Sequence, residues 1–198
     1  AAVAIILFIV RKWSNTAILI TAIFFLLQPV EWFHFIASLI NPNYALPNLG
    51  VSAMYEKIGA YTKEGDFWNF IVGNITIGQK ASLMWAVGAG RFLQTAGLFM
   101  LGMLLGRKQL FTTSENNSQF WTKALILSAV LFCPLYALKV QVYDNASSNM
   151  IKQTVGVIFD MWQKSSFTFV LVSSFVLLYQ SEKFKKLTSN LRFYGKMS

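Results

Sequence analysis

The chain has 198 residues, of which 55% are apolar and only 13% charged, and its mean hydropathy is +0.50. A soluble domain carries roughly 25% charged residues, so this composition cannot coat a soluble fold and indicates an integral membrane protein whose first partner is the lipid bilayer. The formal charge of +9 would raise nucleic acid as a partner of a soluble protein; in an apolar chain it fits basic loops that hold helices on one side of a membrane, and no nucleic-acid partner is expected.

Residues 1–10 form an apolar run with no basic region before it and no small-residue cleavage site after it, which excludes a signal peptide. Ten helical residues span only about 15 Å of a hydrocarbon core roughly 30 Å thick. The run therefore reads as a truncated N-terminal span, and the chain as an internal piece whose remaining partner is the rest of a longer membrane protein. Residues 17–40 form the first complete span, kinked where Gln28 meets Pro29. Residues 41–82 are a long connection that opens with the turn residues Asn41, Pro42, Asn43, Pro47, Asn48 and Gly50. Val51, Met54, Tyr55 and Ile58 then recur at helical spacing, and Asp66 is placed to cap a second short helix through Val72. Two short interfacial helices are expected there, with Trp68 and Trp85 at headgroup level.

Residues 83–106 are the second span, 124–143 the third, bent at Pro134, and 154–180 the fourth. The expected fold is an all-α polytopic transmembrane helix bundle, in one membrane domain, with four full spans plus one truncated N-terminal span. Ten of the Lys and Arg residues fall in connections 11–16 and 107–123 and in the segment after residue 180. These connections are expected on the cytoplasmic side of the membrane, leaving 41–82 outside. The single cysteine, Cys133, excludes an internal disulfide and reads as a small buried hydrophobe.

Ionisable residues at membrane depth are costly and mark candidate sites. Glu31 and His34 lie three residues apart behind the kink, where a carboxylate could orient an imidazole as a general base; a solvated pair at the interface is the alternative. Arg91 and Gln94 lie three apart in the second span. Arg91 is suited to an anionic group of a small molecule, or to a structural ion pair with Glu31. Asp160 and Lys164 have the i, i+4 spacing of a helical ion pair. One His with one Glu is too small a set for zinc, and no metal site is expected. Gly102 and Gly106 form a GxxxG pattern, which predicts close approach of a neighbouring helix.

Three segments carry a resemblance: Phe25-Leu26-Leu27-Gln28-Pro29-Val30-Glu31-Trp32, the run from Arg91 through Leu101-Gly102-Met103-Leu104-Leu105-Gly106-Arg107, and Gly195-Lys196-Met197-Ser198. Together they resemble the YeiB-like bacterial multipass family, domain of unknown function 418. In that family a Leu-Gly-x-x-x-Gly-Arg span end precedes two further spans, and a Gly-Arg-Met-Ala/Ser segment opens the C-terminal domain. Here Lys196 replaces the Arg, and 191–198 would be the start of that domain. The family looks related to transmembrane acyltransferases, which implies an acyl-transfer role with an acyl donor such as acyl-CoA as substrate and no cofactor held by the chain. The resemblance carries over no catalytic residue; Arg91 is its best candidate for an anion contact. A small-molecule transporter or exporter and a non-catalytic scaffold are the alternatives.

Overall fold

The computed structural model describes residues 2–64, 66–180 and 184. The described residues are helical, with no strand among them. Helix α1 (Ala2–Val10) leads through Arg11–Ser14 to α2 (Asn15–Leu26), whose start is capped by Ser14 accepting from Ala17 N. Helix α3 (Pro29–Ile40) begins at Pro29, whose missing N–H costs nothing in a first turn. Between them Gln28 adopts a left-handed conformation, φ 59°, and α2 and α3 meet at 45°. The kink expected at Gln28–Pro29 is therefore a complete break.

The long connection is largely helical. Helix α4 (Val51–Glu64) covers the first predicted segment. Asp66 caps α5 (Phe67–Gly73), as its position suggested, accepting from Trp68 N at 2.9 Å. The short helix expected to end at Val72 does not end there: it runs through a π-turn (Asn74–Gly78) into α6 (Gln79–Gly88). Nor is 83–106 one continuous helix. Gly90, φ +67°, turns the chain by 83° between α6 and α7 (Arg91–Arg107). Only glycine takes this conformation without steric cost, and hydropathy alone does not register it.

The remaining helices are uninterrupted. Helix α8 (Glu115–Asn145) is capped by Ser114 and continues through Pro134. Helix α9 (Asn149–Ile151), a π-turn (Lys152–Gly156) and α10 (Val157–Gln180) form one rod of 32 residues. These two rods are long and apolar enough to cross a membrane, and the described residues hold up to four such spans if each broken pair is one. The segment Gly195–Ser198 and the start of a further domain at 191–198 lie outside the described residues.

The largest helix–helix contacts join α8 to α10 and α2 to α7. The second is tight because Gly97 meets α2: a β-carbon there would come within 3.0 Å of the Ala22 carbonyl oxygen. Ile18, Ala22, Met100 and Leu104, with Val10 of α1, form a buried cluster around this contact. The glycine pair singled out by pattern behaves differently, since nothing lies within 4 Å of a β-carbon at Gly102 or Gly106. In a helix only one face meets a given neighbour, and the Gly97 face meets α2. Cys133 is exposed on α8, contrary to the buried position expected of it; in an apolar chain an exposed thiol is compatible with a hydrocarbon surround. One end of the bundle is tied by Arg107, which donates to Trp13 O, Asn15 Oδ1 and Arg11 O, and by Ser118 Oγ donating to Gln180 Oε1. Residues 11–15 and Arg107 therefore lie at one end of the bundle.

Candidate functional site: two helix breaks and the cavities beside them

A helix break frees backbone groups that must find new partners in an apolar medium. Here adjacent residues of α10 serve both broken pairs. Trp162 donates its indole N–H to Leu26 O, 2.8 Å, at the end of α2. Gln94, one turn into α7, donates from Nε2 to Met161 O and to Ser165 Oγ, both at 3.0 Å. The breaks also touch each other. A β-carbon on residue 90 would sit 2.9 Å from Gln28 Oε1 and 3.0 Å from Val157 Cγ1. Gln28 is 0% exposed, and neither its Oε1 nor its Nε2 has a hydrogen-bond partner among the described residues.

Glu31 stands in the first turn of α3, where the helix dipole favours negative charge. It is 4% exposed and has neither a hydrogen bond nor an ion pair among the described residues. It lines a cavity of about 200 Å³ with His34, Gln153 and Val157, roofed by Leu46, Pro47 and Leu49 of the α3–α4 connection and bounded by Val87 and Gly88 of α6. His34 shares this cavity, but its orienting partner is not Glu31: His34 Nδ1 and the Tyr44 hydroxyl are 2.7 Å apart, a hydrogen bond. Tyr44 lies ten residues further on in a turn-rich stretch, with no periodic signal to reveal it.

Arg91 is placed elsewhere. It is the first residue of α7 and exposed, not eight residues into a span, and its guanidinium stacks 4.6 Å from the Trp85 ring centroid. It does not pair with Glu31; the ion pairs among the described residues all involve Asp160. With Lys80 it lines a groove of about 1100 Å³ whose other walls include Ile58, Ile75, Leu83 and Phe92. Ala86 and Arg91 border the groove, Val87 and Gly88 the cavity, so the α6–α7 elbow stands between the two. Glu31 and His34 are thus brought together, whereas Arg91 faces the groove and Gln94 is buried against α10.

Asp160 accepts from Lys164, as the spacing predicted, and also from Lys139 of α8 at 2.7 Å. The second lysine was hidden from sequence reasoning because it comes from the opposing helix of the hairpin. This cluster fastens α8 to α10 and lines neither cavity.

No curated protein and no solved structure matches the chain. Residues 105–198, which hold α8, α9 and α10, match the model of a family described as a protein of unknown function, DUF418. That stretch, just under half of the chain, is similar to the DUF418 family.

Proposed function

We propose that this membrane protein handles acyl groups, passing one from an amphiphilic anionic donor to a small polar acceptor. The observation that carries the reading is the groove beside the elbow. It joins a long apolar wall to two cations, Lys80 and Arg91, which suits a molecule with a hydrocarbon tail and a phosphate-bearing head, such as an acyl-CoA. The cavity on the other side of the elbow offers a carboxylate and an imidazole held by Tyr44, the groups needed to seat an acceptor and take its proton. The relation to membrane acyltransferases that the family resemblance implies points to the same class of reaction. The chain sits in a bacterial plasma membrane with 11–16 and 107–123 on the cytoplasmic side, in keeping with the bias of basic residues.

The test is transfer from labelled acyl-CoA in proteoliposomes. Arg91→Ala should weaken donor binding tenfold or more, the loss expected for a charged contact to phosphate. Unchanged transfer by that variant removes Arg91 from the site, and no transfer with any hydroxyl or amine acceptor removes the reading.

One observation favours transport instead. Helix breaks that meet in the bundle interior are a recurrent way to build a substrate site in transporters, and Gln28 and Gly90 meet in this manner. Uptake of an unmodified solute into proteoliposomes without any acyl donor would decide for transport.

A further inference from the structure

The charge beside the elbow is unbalanced. The Glu31 carboxylate is buried and unpartnered among the described residues, and the cavity into which it opens is lined by no lysine or arginine. The cations of the neighbouring elements do not supply it: Lys139 and Lys164 pair with Asp160, Arg91 stacks on Trp85 and faces the far groove, and Lys152, next to Gln153, forms no ion pair with Glu31 and does not line the cavity. A carboxylate withdrawn from water requires a counter-charge or a proton, and the dipole of the α3 first turn offers only a partial charge. Gln28 adds a fully buried amide with both polar atoms unpartnered among the described residues, beside the same Gly90 that Val157 of the cavity wall adjoins.

The chemistry of the lining narrows the missing cation. A hard metal ion takes six or more oxygen ligands, and one carboxylate with an imidazole and an amide falls far short. Most of the wall is hydrocarbon: Val30, Leu46, Pro47, Leu49, Val87 and Val157. A volume of about 200 Å³ compares with roughly 30 Å³ for one water in the liquid, so the occupant has a handful of heavy atoms. We infer that this cavity binds the ammonium group of a small primary amine. Glu31 balances the charge, His34 and Gln153 take up remaining hydrogen bonds, and the Leu46–Leu49 strap covers the short carbon body. This deepens the acyl-transfer reading by giving its acceptor pocket a chemical class.

The experiment is equilibrium binding of radiolabelled ethanolamine to the full chain in detergent, with no acyl donor present, so that its outcome is independent of the turnover test above. Saturable binding is expected, unaffected by equimolar ethylene glycol or sodium chloride, with affinity reduced tenfold or more by Glu31→Gln. Displacement by lysophosphatidylethanolamine would assign the ammonium to a lipid headgroup, and resistance to it would assign a free amine; both uphold the site. Absence of saturable binding, equal competition by ethylene glycol, displacement by sodium, or wild-type affinity in Glu31→Gln would each overturn the inference. Should Glu31→Gln not elute as a single species, Leu49→Trp fills the cavity without altering its charge. Loss of binding in that variant supports the site, and wild-type binding overturns it.

Discussion

Gln28 and Gly90, 62 positions apart in the chain, are the two left-handed residues at which separate helix pairs break, and they are packed against each other. Each break makes room for the other. The side chain of Gln28 occupies the space that a β-carbon on residue 90 would need, at 2.9 Å.

Gly90→Ala should therefore be costly twice over, through its positive φ and through the contact with Gln28. A destabilisation of about 1–3 kcal/mol is expected, read as a lowered midpoint of thermal unfolding in detergent. Combining it with Gln28→Ala removes the contact but not the backbone strain, so the double variant should recover part of the loss. Full additivity of the two changes would show that the side-chain contact is irrelevant.

Trp162→Phe keeps the ring and removes only the indole N–H that serves Leu26 O. Loss of one hydrogen bond inside a membrane bundle costs about 1 kcal/mol, and an orphaned carbonyl raises that to at most about 3 kcal/mol. Hydrogen exchange should rise at the amides on either side of Gln28 and remain unchanged at the α8–Asp160 contact.

Asp160→Asn strands Lys139 and Lys164 beside each other. Both lysines keep partial exposure, 27% and 39%, so the expected loss is modest, about 1–2 kcal/mol. Replacing both lysines by Met in the same chain should restore most of it, which a thermal melt of the triple variant would reveal.

Cys133 offers a direct test of the membrane reading. It is exposed on α8 and is the only thiol in the chain. A maleimide fluorophore attached there should be quenched by nitroxides carried on lipid tails and hardly at all by iodide in the buffer. Strong iodide quenching would place that face of α8 in water.

What could be read from the residues alone follows from how local the signal was. Asp66 as a cap, Asp160–Lys164 on one helix face and a bend at Gln28–Pro29 each rest on neighbours within a few positions. The break at Gly90 escaped because the residues around it are as apolar as a continuous span, and backbone hand leaves no trace in hydropathy. Lys139 and Tyr44 escaped for a different reason: each completes its cluster from another element, across a hairpin or a turn-rich loop. The expected meeting of Glu31 with Arg91 assumed a straight second span; the 83° elbow turns Arg91 to the other side.

Met161 and Trp162 are consecutive on α10, yet one holds α7 through Gln94 and the other holds α2 at Leu26. Turning α10 about its own axis would pull on both contacts in the same instant. One turn of α10 is thus the common anchor of two helices that break separately, so a substitution that shifts it disturbs α2 and α7 together.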